Sequence, residues 1–224
     1  TIASPFGHGE LALQRRYTLG RELAAQRYAQ AIVLPNSFKS ALVPFFAGIP
    51  LRTGFVGEAR WGLLNDTRRL NKLALPLMVE RFAALGEARG EDVQRPLAAV
   101  RLAVSAAQRA AALARRGLAP TRPVAVLCPG AEYGPAKRWP AKYFAELARR
   151  LADAGYTVWV AGSDRDTAIG DEIAQACARD CINLCGKTTL AEAIDLMSCA
   201  SLVVSNDSGL MHIAAALDIP HVAL

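Results

Sequence analysis

The 224-residue sequence has no apolar run long enough to cross a lipid bilayer. Its longest apolar stretch, ALVPFFAGIPL at 41–51, is interrupted by Pro44, Gly48 and Pro50. The first residues, TIASPFGHGE, also lack the basic and apolar regions of a signal peptide. The pattern excludes a membrane-spanning helix in this sequence, and we predict a soluble, cytoplasmic protein.

The sequence also lacks the spacing of cysteines and histidines that is typical of a metal site. The five cysteines include Cys177, Cys181 and Cys185, and their spacing of four could put the first two on one helix face. The sequence has neither the paired C-x-x-C spacing nor the nearby histidines of a zinc site. We therefore predict reduced, mostly buried thiols and no bound metal.

Nucleic-acid-binding patterns are absent as well, although the net charge is +6. Residues 1–122 hold 18 Lys and Arg against 8 Asp and Glu, whereas residues 123–224 hold 8 against 12. The basic half has no basic run with interleaved aromatic residues and no helix-turn-helix pattern, so we predict no nucleic-acid partner. A phosphorylated substrate or an anionic membrane surface suits this charge distribution.

What the sequence does contain is a regular alternation of structure after residue 122. Apolar segments of strand type alternate with amphipathic helical segments. In one helix Thr189 and Glu192 have capping-box spacing, and Leu190, Ile194 and Met197 are predicted to face the core. This alternation predicts an α/β fold with a parallel, doubly wound sheet. The predicted strands are VAVLC (124–128), YTVWVAG (156–162), INLCG, SLVV and HVAL.

The first half is less regular but similar in kind, and GLAPTRP marks the end of its last helix. We predict a first domain at 1–96, a linker containing a helix capped by Ser105 at 97–122, and a second domain at 123–224. HVAL would lie inside a sheet, and the chain starts at a loop without methionine. We therefore expect an internal portion of a longer enzyme, with both domains incomplete.

Ligands of parallel sheets bind outside the carboxyl ends of the strands, and three loops of the second half are candidates. In PGAEYGPAKRWP, two glycines let the backbone approach a ligand and Lys137 offers a charge for phosphate. A surface loop with a solvated Lys-Arg pair is the alternative. In AGSDRDTA, Asp164 and Asp166 have a D-x-D form that can hold a metal. We favour helix capping there, although Ser163 or Asp166 could contact a ribose.

The third loop, SNDSGLMHIAAAL, carries the strongest signal. Asn206, Asp207 and Ser208 are all good N-cap residues, but one cap does not explain three of them followed by Gly209. Backbone N–H groups and the helix dipole predict a diphosphate site at this turn. Asp207 would then bind sugar hydroxyls beside the phosphates. His212, one turn after Ser208, is either a ligand contact or a partly buried structural histidine.

Together, CPGAEYGPAKRWP, NLCGKTTLAEAIDLM and SNDSGLMHIAAAL resemble lipopolysaccharide heptosyltransferases. LPNSFKSALVPFFAGIPLRTGF and RWGLLNDTR narrow the resemblance to the heptosyltransferase II group of that family. The resemblance extends through nearly the whole chain and is weakest at about 87–121. It implies the GT-B fold, in which two Rossmann-like domains face each other across a cleft. The second domain would bind the donor, ADP-L-glycero-D-manno-heptose, and the first would be the acceptor side.

By position, the resemblance implies roles for individual residues. Ser208 and Gly209 would bind the diphosphate from the helix end, Asp207 would hold the heptose, and Thr188 would lie near the adenine. The general base of the family is an aspartate in a loop that this chain does not contain, so the base stays unassigned. Lys137 would also stabilise the leaving group. Further donor contacts are implied at Ala131, Glu132, Tyr133 and Lys137.

The implied reaction is an inverting, metal-free transfer without a cofactor. The implied acceptor is the inner-core heptose of lipopolysaccharide (lipid A-Kdo-heptose), a phosphorylated lipid at the cytoplasmic face of the inner membrane, with which peripheral contact is expected. Two alternatives stay open from the residues. They are a sugar-nucleotide epimerase of the same fold and a non-catalytic nucleotide-binding module.

Overall fold

A computed structural model describes residues 5–7, 9–131, 138–177 and 180–224. The chain divides into two compact units, Thr1–Leu97 and Ala98–Leu224. Each unit contains a parallel sheet together with helices, which confirms the predicted α/β class. Across the described ranges, no helix combines the length and the apolar content needed to span a bilayer.

In the first unit the strands pair in parallel in the order β1-β2-β3. The third strand, Asp66–Arg68, was not predicted, because its residues are polar and show no apolar alternation. Asp66 is buried in spite of its charge, since it accepts hydrogen bonds from Thr53 Oγ1 at 2.9 Å and from Arg68 Nε at 2.9 Å. The elements are α1 (Leu13–Ala24), β1 (Gln30–Val33), a 3₁₀ turn (Phe38–Ala41), α2 (Leu42–Phe46), β2 (Leu51–Phe55), β3 (Asp66–Arg68) and α3 (Met78–Ala84).

In the second unit the strands follow the order β6-β5-β4-β7-β8, and all neighbouring pairs are parallel. β4 is central and wholly buried, as its apolar sequence predicts. The elements are α4 (Ala106–Arg115), β4 (Val124–Cys128), α5 (Ala141–Asp153), β5 (Thr157–Val160), a 3₁₀ turn (Asp164–Asp166), α6 (Thr167–Ala176), β6 (Cys181–Asn183), α7 (Leu190–Met197), β7 (Ala200–Ser205), α8 (Gly209–Ala216) and β8 (His221–Ala223).

Two apolar clusters cover this second sheet. One includes Trp159, Met197 and Ala214 together with Ala112 of α4, and the other includes Phe144 of α5 and residues of α6. Parallel strands with both faces covered by helices form a doubly wound sheet, as predicted.

Capping was predicted correctly at two helices. Ser105 Oγ accepts the Gln108 N–H at 3.2 Å at the start of α4, and Thr189 Oγ1 accepts the Glu192 N–H at 3.2 Å at the start of α7. The Glu192 carboxylate accepts the Thr189 N–H in return, at 3.1 Å. The capping box is a local interaction, and so its spacing in the sequence was sufficient to find it.

Two expectations were wrong. Leu190 does not face the core but is 67% exposed, because it is the first residue of α7 and side chains of a helix point back toward its N-terminus. Cys177 and Cys181 do not share a helix face, because α6 ends at Ala176 and Cys181 begins β6. The cysteines are free thiols, buried at four of the five positions, as predicted.

Candidate functional site

The loops after β4 and β5 meet at the carboxyl edge of the second sheet. A Cβ atom added to Gly130, which follows β4, would lie 2.6 Å from Asp166 Oδ2 in the loop after β5. Only glycine allows this approach, so the backbone of one loop lies directly against a carboxylate of the other. The start of the predicted glycine-rich loop therefore packs against the D-x-D segment.

Asn206 joins the loop after β7 to the loop after β4. It is fully buried, its Nδ2 donates to the Pro129 carbonyl at 2.7 Å, and its Oδ1 accepts the Trp139 N–H at 3.1 Å. Its own N–H donates to the Cys128 carbonyl at 3.2 Å. The sequence offered Asn206 as a possible helix cap, but the structure uses it to connect two loops.

Arg138 and Trp139 fix one end of the glycine-rich loop. The Arg138 guanidinium donates to the Ala131 carbonyl from Nε at 3.2 Å and from Nη2 at 3.0 Å. The Trp139 ring stacks on Tyr143 with centroids 5.5 Å apart. Ala131 is buried, and its carbonyl already accepts both hydrogen bonds from Arg138. Three predicted donor contacts, Glu132, Tyr133 and Lys137, lie outside the described residues.

Helix α8 begins directly after the polar residues of the third loop, at Gly209. Ser208 is the N-cap residue, yet in the described part of the chain its side chain makes no capping hydrogen bond, and its Oγ lies 3.2 Å from Ser205 Oγ. Gly209 is exposed, and no described atom lies within 4 Å of the position a Cβ would take. Neither packing nor a left-handed backbone requires glycine here. The residue leaves room above the first turn of the helix.

Asp207 and His212 are both exposed at this end of α8. The interpretation of His212 as a partly buried structural histidine is therefore wrong. Both side chains are accessible to a ligand that approaches the helix N-terminus.

The D-x-D segment is built as a cap. Asp166 is buried, and its Oδ2 accepts the Ser163 N–H at 2.9 Å and the Ser163 hydroxyl at 2.7 Å. Asp164 is exposed, so the two carboxylates are placed in different environments. Within the described residues no group of three or more His, Cys, Asp or Glu is arranged to hold a metal ion.

Thr188 lies at the rim of a small apolar cavity beneath α7. The cavity has a volume of about 10 Å³, which is room for a single water, so a nucleotide base would bind outside it. Trp159 Nε1 is buried there and has no hydrogen-bond partner among the described residues. The cavity is lined by Val126, Trp159, Ala161, Leu184, Thr188, Ala193, Leu196 and Met197.

The thiols at this edge are not nucleophiles. Cys128 ends β4 and Cys185 follows β6, and burial raises the pKa of each thiol to about 12. Both thiols are therefore protonated at neutral pH, and a protonated thiol is a poor nucleophile.

The carboxyl edge of the first sheet is organised by Arg60, which the sequence did not single out. Arg60 is buried, and its guanidinium donates to the Pro35 carbonyl at 2.8 Å, to Asn36 Oδ1 at 3.3 Å and to the Phe55 carbonyl. Burial lowers the pKa of Arg60, and the charge of nearby Glu58 opposes this shift. The segments after β1 and β2 are thus tied together by one cation.

Comparison with known proteins supports the resemblance noted in the sequence. Residues 16–224 match glycosyltransferase family 9 (heptosyltransferase). The chain is 50% identical over 232 residues to lipopolysaccharide heptosyltransferase 2 of Escherichia coli and 47% identical over 236 residues to lipooligosaccharide heptosyltransferase 2 of Haemophilus influenzae. In both cases all of this chain and 67% of the relative are covered, so the chain spans about two thirds of the relatives' length.

Solved structures agree. The structure of E. coli ADP-heptose LPS heptosyltransferase II has a TM-score of 0.89 at 49% identity, over 94% of this chain and 66% of that one. A glycosyl transferase family 9 protein from Veillonella parvula, at 21% identity, shares the fold with a TM-score of 0.81 over 97% of this chain and 63% of that one. The predicted GT-B class and the predicted resemblance are confirmed. The chain belongs to glycosyltransferase family 9, the heptosyltransferases.

Proposed function

We propose that this chain forms the donor site of an enzyme that transfers L-glycero-D-manno-heptose from ADP-heptose to the inner-core heptose of lipopolysaccharide. The observation that carries the proposal is the meeting of three strand-end loops beside the uncovered first turn of α8, through Gly130 and Asn206. The names of the relatives, which specify ADP-heptose and lipopolysaccharide, supply the identity of the substrates.

The diphosphate would bind at the N-terminus of α8. Backbone N–H groups in the first turn and the helix dipole attract anions, and Gly209 leaves space for phosphate oxygens close to the backbone. Ser208 would contribute its hydroxyl, and Lys137 would neutralise the charge that grows on the departing ADP. This is electrostatic stabilisation of the leaving group by the chain itself. We propose that the reaction needs neither a metal nor a cofactor.

The other contacts are those that the family resemblance implies at the same edge. Asp207 would accept hydrogen bonds from heptose hydroxyls, and His212 lies one helical turn away from the diphosphate position. Ser163 and Asp166 would lie near the ribose, and Thr188 near the adenine. Ala131 would offer its backbone, with Glu132 and Tyr133 following it.

The chemical step would be an inverting displacement. A general base, which is not assigned to a residue of this chain, removes the proton of an acceptor hydroxyl. The hydroxyl oxygen then attacks the anomeric carbon as the bond to ADP breaks. The residues of this chain hold the donor so that the attack is in line, which lowers the entropic part of the barrier.

The acceptor would meet the first unit. Residues 1–97 carry 13 Lys and Arg against 8 Asp and Glu, an excess that suits a phosphorylated lipid acceptor. We place the reaction in the cytoplasm, at the inner face of the inner membrane, with peripheral membrane contact.

The test is ADP release by the full-length protein, given ADP-heptose with or without lipid A-Kdo-heptose. We expect release only with the acceptor present and a heptose added to it. Conversion of ADP-heptose to an isomer without ADP release would identify an epimerase. Tight binding of ADP-heptose without any turnover would identify a nucleotide-binding module. Either result would overturn the proposal.

A further inference from the structure

A short segment of the first unit exposes a cluster of large apolar side chains. Leu73 is 94% exposed, and Leu77 and Met78, where α3 begins, are 58% and 57% exposed. Phe82, one turn after Met78 on the same face of α3, is exposed as well. Single exposed apolar residues are ordinary, but a group of them within ten positions marks an interaction surface. We call Leu73, Leu77, Met78 and Phe82 the apolar ridge.

The ridge is held in place rather than left to fray. Asn71 Oδ1 accepts the N–H groups of Leu73 at 3.1 Å and Ala74 at 3.2 Å. Arg95 Nη2 donates to the Ala74 carbonyl at 2.9 Å, and Arg81 donates to the carbonyls of the next two residues at 2.9 and 3.0 Å. These bonds fix the backbone, so the exposed side chains are presented at a constant position.

The charge around the ridge is of one sign. Arg69 and Lys72 are exposed beside it. The acids of this part of the chain, Asp66 and Glu80, are buried, and each is paired with an arginine, at 2.8 and 2.9 Å. Between Asp66 and Glu87 the sequence contains no acidic residue other than Glu80. This segment therefore combines exposed apolar side chains with two exposed cations, and its own two acids are each paired with an arginine.

The ridge also begins at the functional edge of its sheet. β3 runs parallel to β2, and the chain leaves β3 at the carboxyl edge toward Arg69. Val56, which follows β2, donates its N–H to the Arg68 carbonyl at 2.7 Å. The ridge thus starts from the edge of the first sheet at which ligands of parallel sheets bind.

We propose that the apolar ridge docks the first unit on an anionic lipid bilayer. Leu73, Leu77 and Met78 enter the boundary between headgroups and acyl chains, while Arg69 and Lys72 contact lipid phosphates. A second copy of this chain would bring the same two cations against one another, which disfavours self-association through this surface. The inference rests on the proposed function in one respect: a lipid-anchored acceptor is the reason why a membrane is the expected binding partner.

The test is co-sedimentation of the full-length protein with vesicles of phosphatidylglycerol and phosphatidylcholine, and with vesicles of phosphatidylcholine alone. We expect binding to the anionic vesicles to fall about tenfold or more in Leu73→Ser, because burial of one leucine is lost. Replacing both Arg69 and Lys72 by Gln should lower it by roughly fivefold per charge. The control is Leu190→Ser, which removes another exposed leucine, in the second unit.

Three results would overturn the proposal. The first is equal vesicle binding by the wild type, Leu73→Ser and Leu190→Ser. The second is a lower melting temperature of Leu73→Ser, which would mean that the ridge is packed inside the intact protein. The third is a dimer of the wild type that Leu73→Ser dissociates. ADP release with a delipidated, water-soluble acceptor should be the same in Leu73→Ser and the wild type. If neither the wild type nor Leu73→Ser releases ADP with this acceptor, the proposed function is refuted, whereas the conclusion from vesicle binding is unaffected.

Discussion

The carboxyl edges of the two sheets are built in the same way but leave different residues exposed. In the first unit Arg60 ties the segments after β1 and β2 together, and in the second unit Asn206 ties the loops after β4 and β7. Both side chains are buried. The second edge continues into α8, whose first turn is open at Ser208 and Gly209. Polar residues at the strand ends therefore fall into two groups: the buried ones hold loops together, and others, such as Asp207, stay exposed at the edge of the sheet.

The largest effect is expected from Arg60→Met. The variant leaves the carbonyls of Pro35 and Phe55 without their donor, which should lower the free energy of unfolding by about 3 kcal/mol. Hydrogen exchange should show faster exchange of amides in β1 and β2, with β4 unchanged. The control is Arg69→Met, an exposed site where the change should stay within about 0.5 kcal/mol. If the amides of β1 are equally protected from hydrogen exchange in both variants, Arg60 does not hold the segments after β1 and β2 together.

Asn206→Asp tests the corresponding residue of the second edge. It replaces the donor to the Pro129 carbonyl by a carboxylate oxygen in a fully buried position. We expect a loss of about 2 kcal/mol in the free energy of unfolding, measured by denaturant titration. Hydrogen exchange should rise at the ends of β4 and β7 and stay unchanged in the first unit. A variant as stable as the wild type would show that Asn206 does not hold the loops.

Asp207→Asn makes the reverse change one residue later, at an exposed position. Asn caps helices as well as Asp does, so the melting temperature should not change. If Asp207 accepts hydrogen bonds from the heptose, transfer should fall by about tenfold to a hundredfold, because an amide replaces the carboxylate. The affinity of the variant for ADP alone should equal that of the wild type. Unaltered transfer would restrict Asp207 to a structural role.

Gly209→Ala should separate stability from binding at the helix end. There is open space for the added methyl group and no left-handed backbone, so α8 should gain up to about 1 kcal/mol of stability. If the diphosphate binds at this turn, the affinity for ADP, measured by calorimetry, should fall by roughly fivefold, because the methyl group occupies the space proposed for a phosphate oxygen. The matched control is Ala215→Gly, at an exposed position near the other end of α8. It should lose stability and keep its ADP affinity.

The smallest effect concerns acid stability in the second unit. The Thr189 N–H, together with Arg116 and Arg115, lowers the pKa of Glu192 from its usual 4.5 to about 2. A carboxyl with a lowered folded-state pKa contributes stability above its unfolded pKa, and this contribution is lost as the pH falls from about 4.5 to about 2. Glu192→Gln should melt below the wild type at neutral pH, and the gap should close over that interval. The exposed Glu172→Gln serves as the control, and a gap independent of pH would contradict the assignment.

The sequence was most informative where structure depends on neighbours along the chain. The bounds of β4 were predicted to the residue, and the caps at Ser105 and Thr189 were found, because apolar runs and capping boxes are local signals. β3 was missed because its residues are polar and show no apolar pattern; its buried Asp66 is satisfied by Thr53 and Arg68, which only the folded chain brings together. Leu190 was wrongly predicted to face the core because periodicity does not show which residue begins a helix, and Leu190 is the first residue of α7.

The sequence alone thus determined the doubly wound second sheet, the three loops at its carboxyl edge and the resemblance to heptosyltransferases. These follow from patterns and motifs that are contiguous in the chain. The tertiary structure decided which polar residues hold those loops and which remain open to a ligand. Asn206 contacts Trp139 from 67 residues away, and Arg60 contacts Pro35 from 25 residues away. Burial and hydrogen bonding between such distant positions arise only when the chain folds, because they depend on which strands become neighbours.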